Sequence, residues 1–557
     1  MSRKYVIGLD YGTESGRALL VAVDNGEEVA TAVEPYPHGV IDEALPGSGK
    51  RLGPDWALQD PGDYLHVLKH VIPKVLQSSG VKGEDVIGIG TDFTACTMLP
   101  IDENGTPLCM LEEFSGNPHA WVKLWKHHAA QPEADRINEA ARQRGEDFLA
   151  RYGGKVSSEW FFPKALQILD EAPEVYEKAD RLIEAGDWIV LQLCGEEKRN
   201  ACVAGYKAIW DEGYPSKAFF KALDRRFENV VADKMSEDIY PAGTKAGGLL
   251  PEIAEAVGLR AGTAIAVGGV DAHVAVPAAT VTDEGKMVMI MGTSLCHMVC
   301  AKEKQVVEGL CGVVKEGILP GYYGFEAGQT AVGDIFAWFV GNCVHDCVSQ
   351  EAAKTGLSIH DYMSREAGKL KVGESGLLAL DWWNGNRSVL VDADLTGLIM
   401  VMTLTTTPFE MYRAILESTA FGTYKIIKEL EQGGVPITEL YACGGLPNKN
   451  PLLMQIFADV TNREIKVAAS DQTVALGSAM WGAVAAGASE GGYDNITQAA
   501  GKMARLRDES YQPSAAAHAR YQQLFAEYER LHDLFGRGAD SVMKRLKAIK
   551  LDVRGEA

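Results

Sequence analysis

The stretch that decides the fold is GLDYGTESGR, which runs from Gly8 to Arg17. It follows the apolar run YVIGLD at residues 5–10 and leads into a second apolar run, ALLVAV, at residues 18–23. The pattern predicts two buried strands joined by a tight turn that contains glycine. Such a turn can bring backbone N–H groups and hydroxyls around a phosphate chain, because glycine permits close backbone approach. An ordinary hairpin with a polar tip is the alternative.

Three more glycine-containing turns follow apolar strands farther along the chain. GGVDAH at residues 268–273 places Asp271 where a carboxylate could accept a hydroxyl proton during phosphoryl transfer, or could simply cap a helix. MGTS at residues 291–294 can wrap a terminal phosphate, and CGGLPNKN at residues 443–450 can lie under an adenine ring. Each of the last two is weak alone, but four such turns in this order are much more specific.

The remaining pattern predicts an α/β protein of at least two domains, because 557 residues exceed what one hydrophobic core usually supports. The opening design of strand, small-residue turn and strand returns near residue 287, which indicates two related lobes. Predicted strands lie at residues 5–10, 18–23, 28–33, 86–91, 263–267, 287–291, 295–300 and 441–443. Predicted helices lie at residues 61–77, 451–461 and 473–486, through most of 118–260, and in the amphipathic tail at 514–550.

Composition excludes several classes of function. The formal net charge of −22 argues against general binding to nucleic-acid phosphates. No targeting segment or membrane span is expected, so a cytoplasmic location is predicted. Cys343 and Cys347 flank His345, but no second ligand pair stands at zinc-finger spacing, so reduced and mostly buried thiols are expected instead of a metal site.

With these turns in place, the chain resembles the FGGY carbohydrate kinase family, whose members include glycerol, xylulose and ribulose kinases. The resemblance covers residues 8 to about 487. It implies a two-lobed actin/hexokinase-like ATPase core, with a ribonuclease H-like mixed five-stranded sheet in each lobe and a deep cleft between them. The implied division is a sugar-binding lobe at residues 1–260, an ATP-binding lobe at 261–490 and a helical extension packed on the core at 491–557.

The resemblance also implies the ATP and Mg²⁺ site. Asp271 would be the catalytic base, and Asp10 would hold Mg²⁺ through water. The other residues implied at the nucleotide are Gly12, Thr13, Arg17, Gly292, Thr293, Gly333, Gly444, Gly445 and Asn448.

Segments of the first lobe look like the ribulokinase branch of the family, which implies transfer to O5 of L-ribulose. Among them are TDFTAC at residues 91–96, SSEWFFPK at 157–164 and AGYKAIW at 204–210. The residues implied at the sugar are Asp92, Ala95, Trp125, Lys207, Asp271 and Glu326. The chain departs from the wider family at Phe161, Gln167 and His127, which fits this branch better than the others.

Several alternatives stay open at this point. The closest is a kinase for another ketopentose or polyol, such as D-ribulose, ribitol or D-xylulose. An ATP-switched chaperone or filament protein with the same core, and a catalytically inactive sugar sensor, are more distant. The C-terminal amphipathic helix could form a homodimer interface or cover the chain's own core.

Overall fold

The computed structural model describes residues 3–538 and 541–554. The strands are β1 (Tyr5–Tyr11), β2 (Ser15–Ala22), β3 (Glu28–Pro35), β4 (Leu58–Gln59), β5 (Val86–Phe93), β6 (Met98–Ile101), β7 (Val122–Lys123), β8 (Arg181–Glu184), β9 (Arg199–Asn200), β10 (Ile239–Tyr240), β11 (Lys245–Gly248), β12 (Ala264–Ala266), β13 (Gly269–Val270), β14 (Lys286–Met291), β15 (Leu295–Ala301), β16 (Gly312–Lys315), β17 (Tyr323–Gln329), β18 (Leu378–Leu380), β19 (Leu398–Met400), β20 (Glu439–Cys443) and β21 (Ile465–Val467).

The α-helices alternate with these strands, and several are short. They are α1 (Pro61–Ser79), α2 (Gln131–Arg144), α3 (Phe161–Glu171), α4 (Pro173–Lys178), α5 (Ala185–Cys194), α6 (Ala201–Lys207), α7 (Lys217–Leu223), α8 (Val230–Lys234), α9 (Pro251–Val257), α10 (Asp271–Ala278), α11 (Gly333–Cys343), α12 (Asp346–Lys354), α13 (Ile359–Ala367), α14 (Pro408–Gln432), α15 (Gly445–Lys449), α16 (Pro451–Thr461), α17 (Thr473–Ala486), α18 (Ile496–Met503), α19 (Ala515–His532) and α20 (Val542–Arg554).

Two large sheets share one design. The first has the order β11-β12-β5-β1-β2-β3, with β13 beside β5, and the second has the order β16-β17-β15-β14-β20-β21. In each, three strands form an antiparallel meander and two more run parallel to its first strand. The predicted five-stranded mixed sheet is therefore the common part of both lobes. β11 and β13 extend the first sheet, and β16 extends the second.

The predicted elements are largely confirmed. The meander at the N-terminus is β1 to β3, and the helices predicted at residues 451–461 and 473–486 are α16 and α17. The helix predicted at residues 61–77 is α1, which Asp60 caps at its start through Gly62 N and which Gly80 ends in a left-handed conformation. Within the middle of the chain, short strands such as β7 to β11 interrupt the mostly helical stretch that was expected.

Helices α10 and α17 lie between the two sheets and share one hydrophobic cluster with residues from both of them. α17 approaches β5 so closely that a Cβ on Gly90 would lie 1.8 Å from the carbonyl oxygen of Ser478. Glycine at this position of the strand is thus required by packing. Because α17 comes from the second half of the chain, its contact with the first sheet joins the two lobes.

The proposed division of the chain after residues 260 and 490 stays a prediction. Strands β12 and β13, at residues 264–270, pair in parallel with β5 of the first sheet. Asp271 follows them directly, so the first sheet holds the start of α10 in place.

The C-terminal segment contains two different helices. α19 buries Tyr521, Phe525 and Tyr528, which pack against Phe421 of α14. α20 instead exposes most of its apolar side chains, such as Leu546 and Ile549. Within the described ranges, 3–538 and 541–554, we find no helix with both the length and the apolar character needed to cross a bilayer.

Candidate active site

Three carboxylates come together where parallel strands of the first sheet end. Asp10 on β1 is in register with Asp92 on β5, and Asp92 is in register with Gly269 of β13, two residues before Asp271. The carboxyl ends of adjacent parallel strands meet at one sheet edge, which is where ligands bind in open α/β sheets. The fold therefore juxtaposes residues that are far apart in sequence.

Burial raises the pKa of each of these carboxyls, and neighbouring carboxylates raise those of Asp92 and Asp271 further. Burial is the main cause for Asp92, whose side chain is almost fully enclosed, and the charges of Asp10 and Asp271 add to it. Burial also raises the pKa of Asp10, against the opposing charge of Arg17, which lies 3.3 Å away across the β1–β2 hairpin. Asp92 Oδ2 accepts a hydrogen bond of 2.6 Å from Ser478 of α17.

Asp271 is the first residue of α10 and is half-buried. Its Oδ1 accepts a 2.6 Å hydrogen bond from the N–H of Ala272. This position is compatible with both roles that the sequence allowed, at the start of a helix and in an active site. Burial raises its pKa to about 6; the Ala272 N–H opposes this, and Asp10 and Glu326 add to it. A carboxylate with this pKa is suited to general base chemistry near neutral pH.

The β1–β2 turn connects the predicted phosphate and sugar sites. Thr13 Oγ1 accepts a 3.0 Å hydrogen bond from Nε1 of Trp125, and the Thr13 carbonyl accepts one of 2.7 Å from Gln59. Trp125 keeps 37% of its surface exposed, which leaves an aromatic face available to a ligand. Thr13, which was predicted to contact the phosphates, is thus hydrogen-bonded to Trp125, which was predicted to contact the sugar.

A buried cluster of charges joins the two lobes at Glu326. This carboxylate on β17 lies 3.2 Å from Lys207 Nζ, which belongs to α6 of the first lobe, and it is paired with Arg387 as well. His273 Nε2 lies 3.5 Å from it. Burial alone would raise the pKa of Glu326, but Lys207 and Arg387 hold it well below its usual range. Glu326 is therefore an anion whose main partners are cations of the protein.

The second lobe carries the other turns that were predicted to contact the nucleotide. The Gly292–Thr293 turn is braced by α11, since Gly333 N donates to Gly292 O at 3.2 Å and Val332 N donates to Thr293 O at 2.8 Å. Gly444 follows β20 with φ of +94°, a conformation that favours glycine.

Gly445 and Asn448 lie in the short helix α15 that follows Gly444. Gly445 is exposed, and Asn448 is half-buried and donates to Asp471 at 2.6 Å. These residues are accessible to a ligand, and their nucleotide contacts stay predictions.

The residues present fit a divalent cation held through Asp10 and water. Mg²⁺ prefers oxygen ligands and retains several waters. Among the described residues, Asp92 Oδ1, next to Asp10 in the sheet, is one of several buried side-chain oxygens without a hydrogen-bond partner. Asp10, Asp92 and Asp271 do not form a cluster tight enough to enclose a metal alone, so waters would complete its coordination.

Other potential metal ligands have structural explanations. In the part of the chain that the structure describes, His38, Asp60 and Asp63 form the one tight group, and there Asp60 caps α1 while Asp63 accepts from His38. Cys343, His345 and Cys347 form no such group. The cysteines are free and mostly buried, as expected, although Cys343 and Cys347 are exposed.

Sequence reasoning missed Arg387 and Ser478. Arg387 lies in a loop with no recognisable motif, and its guanidinium reaches both Glu326 and, at 3.2 Å, the sulfur of Cys311. Ser478 lies in an Ala/Gly-rich helix, where small residues indicate close packing and give no signal for a hydrogen bond to a carboxylate. Both contacts arise between segments that only the fold brings together.

Comparison with known proteins agrees with this geometry over nearly the whole chain. The N-terminal domain of the FGGY family of carbohydrate kinases matches residues 5–277, and the C-terminal domain matches residues 287–486. This chain belongs to the FGGY family of carbohydrate kinases. The predicted membership is confirmed, and it makes the protein an enzyme that transfers a phosphoryl group to an alcohol.

Several curated ribulokinases are similar to this chain over nearly its whole length. The ribulokinase of Halalkalibacterium halodurans is 60% identical over 552 residues, which are 99% of this chain and 98% of that protein. The ribulokinase of Geobacillus thermodenitrificans is 59% identical over 556 residues, 100% of this chain and 98% of its own length. The likeness to this branch that the sequence indicated is confirmed.

Solved structures support the two-lobed fold. The xylulose kinase of Rhodospirillum rubrum superposes with a TM-score of 0.76 at 20% identity, covering 96% of this chain and 99% of the other. At this identity the likeness concerns the fold alone. The predicted fold class is confirmed.

Proposed function

We propose that this enzyme transfers the γ-phosphoryl group of ATP to O5 of L-ribulose, giving L-ribulose 5-phosphate and ADP, as a step of L-arabinose catabolism. The observation that carries the proposal is the position of Asp271. Its half-buried carboxylate lies at a strand end beside Asp10, which adjoins the predicted phosphate turns. The charges of Lys207 and Glu326, at the predicted sugar site, also act on the pKa of Asp271. The ribulokinases to which the chain is similar support the choice of sugar.

The sugar site that we propose has one aromatic wall and several polar groups. Trp125 covers an apolar face of the sugar, and the Ala95 backbone and Asp92 lie at the end of β5. Lys207 carries three N–H donors, of which only part is taken up by Glu326, so it can donate to the keto oxygen or a hydroxyl. Glu326 then acts chiefly by holding Lys207 in place.

In the mechanism that we propose, Asp271 accepts the O5 proton as the oxygen attacks phosphorus in line. The carboxylate can do so because burial brings its pKa close to the working pH. Asp10, through water, would hold the Mg²⁺ that neutralises charge on the phosphates. Backbone groups at Gly12–Thr13 and Gly292–Thr293 orient the transferred group, and Arg17 lines the same site.

Closure of the lobes is part of the proposal. Exclusion of water from the cleft prevents hydrolysis of ATP, and lobe closure is a common means to this end. We further propose that the enzyme works in the cytoplasm and acts on a small-molecule sugar. For a homodimer, α20 is the surface to examine, because α19 packs against the chain's own core.

The rate should depend on pH through Asp271. Only the deprotonated carboxylate accepts the proton, and its pKa is raised to about 6. We therefore expect kcat/KM for the sugar to rise with pH, reach half its maximum near about pH 6 and level off above that. Initial rates across this range check the prediction, and a profile that stays flat down to about pH 5 would contradict it.

A coupled ADP-release assay with a panel of sugars tests the proposed reaction. With Mg-ATP we expect ADP to form only when sugar is present, and fastest with L-ribulose among L-ribulose, D-ribulose, D-xylulose, ribitol and glycerol. Preference for another member would overturn the choice of sugar and leave the kinase mechanism in place. ADP release that is equal with and without sugar would contradict both.

A further inference from the structure

Lys164 is a buried ammonium group that binds only main-chain carbonyls of its surroundings. It lies on α3, and its surface is fully enclosed. Its Nζ donates to the carbonyl oxygen of Cys96 at 2.7 Å and to that of Leu124 at 2.8 Å. Over residues 3–538 and 541–554, no carboxylate forms an ion pair with it.

Such a group is costly to keep in a protein interior. A buried cation with no carboxylate in contact loses its hydration, and burial accordingly lowers the pKa of Lys164, against the longer-range charges of Glu184 and Glu159. An apolar side chain of the same length would avoid this cost. The two hydrogen bonds therefore have a role other than filling space, since an apolar side chain would fill the same space at lower cost.

Both acceptor carbonyls adjoin residues of the proposed sugar site. Cys96 directly follows Ala95 and has a left-handed backbone with φ of +55°, which is strained for a residue other than glycine. Leu124 directly precedes Trp125, which in turn donates to Thr13. One ammonium group thus fixes the relative position of the Ala95 loop and the Trp125 loop.

A second side chain of α3 acts on the same region. Gln167 is one turn after Lys164 and donates to the carbonyl oxygen of Ala129 at 3.2 Å. Its Oε1 lies 3.0 Å from both Lys123 Nζ and His127 Nε2, so it holds the segment on either side of Trp125. The buried face of α3 therefore contacts the chain before and after Trp125.

We propose that Lys164 is a positioning residue that sets the width of the sugar pocket between the Ala95 loop and Trp125. The inference rests on the proposed function in that it takes these two loops as the sugar site. Lys164 acts through the two carbonyls and does not touch the reacting atoms. Its loss should therefore affect sugar binding before it affects the nucleotide.

The test compares Lys164→Met with Lys234→Met. Lys234 is the matched control, because its Nζ also donates to two main-chain carbonyls of the first lobe, those of Ala179 and Glu177, which adjoin none of the proposed sugar contacts. For Lys164→Met we expect the KM for the sugar to rise by about tenfold or more, with the KM for ATP within about twofold of wild type. Lys234→Met should leave both KM values unchanged.

A sugar KM within about twofold of wild type in folded Lys164→Met would overturn the proposal, as would an equal rise of both KM values. Should Lys164→Met fail to fold, Lys164→Gln carries the same comparison, because its amide retains a donor; we expect a sugar KM at least about threefold above wild type.

A readout without substrate separates this inference from the proposed function. With 5-fluorotryptophan incorporated, the ¹⁹F resonance of Trp125, assigned by its loss in Trp125→Phe, should shift in Lys164→Met and stay in place in Lys234→Met. An unshifted resonance would overturn the inference. If the wild type prefers another sugar, the choice of L-ribulose fails, while the KM for that sugar and the resonance still test Lys164.

Discussion

Asp271→Asn is expected to lower kcat by about 10³-fold, which corresponds to about 4 kcal/mol in the activation barrier. Asn has nearly the same shape as Asp but cannot accept the O5 proton. Nucleotide binding should be retained, because the phosphate turns belong to other segments. Steady-state ADP release and equilibrium titration with ATP, both on the purified variant, check the two parts of this prediction.

Asp346→Asn is the matched control, because Asp346 is also the first residue of a helix, α12, but is exposed and was not predicted to belong to the site. We expect its kcat to equal that of the wild type. If Asp271 served only to begin α10, both variants would lose some stability and neither would lose turnover. Retention of kcat within about tenfold in Asp271→Asn would refute its role as the base.

Glu326→Gln is expected to lower the free energy of unfolding by about 3–5 kcal/mol, since removing one partner of a buried ion pair leaves the other uncompensated. Here Lys207 is 6% exposed and Arg387 is its neighbour at the same carboxylate, so two cations lose their counter-charge. The KM for the sugar should also rise, because Lys207 is no longer held. Denaturant unfolding and sugar titration measure these effects.

The control for this variant is Glu212→Gln. Glu212 pairs with Lys315 at the protein surface, where its side chain is 62% exposed. Exposed pairs contribute little to stability, so the unfolding midpoint should match that of the wild type. If Glu326→Gln unfolded at the same denaturant concentration as the wild type, the ion pairs of Glu326 would not contribute to the stability of the contact between the lobes.

The strands and helices that carry the site could be predicted from the sequence because their signals are local. Apolar runs that end in glycine-containing turns predicted β1, β12, β14 and β20 with the residues that follow them, and α16 and α17 were predicted at their observed bounds. The repeated strand and turn design also indicated two related lobes, and both sheets have it. Periodicity and turn chemistry are properties of neighbouring residues, so they need no tertiary information.

The contacts that hold the site together could not be predicted in this way. Glu326 was expected to contact the sugar, but its nearest charged groups are Lys207, 119 positions earlier, and Arg387, 61 positions later. Ser478 reaches Asp92 across 386 positions. Lys164 stood within a recognised motif, yet its acceptors are carbonyls of two distant loops, and a main-chain carbonyl has no signature in sequence. Such partners are determined by lobe packing.

The position of the phosphate in the product tests the central claim most directly. The enzyme would be incubated with Mg-ATP and uniformly ¹³C-labelled L-ribulose, and the product examined by ¹³C and ³¹P NMR. We predict ³¹P coupling at C5 and C4 only, as expected for a phosphate ester on O5. Coupling at C1, or conversion of ATP to ADP and inorganic phosphate with the sugar unchanged, would contradict the account of Asp271 and the pocket given above.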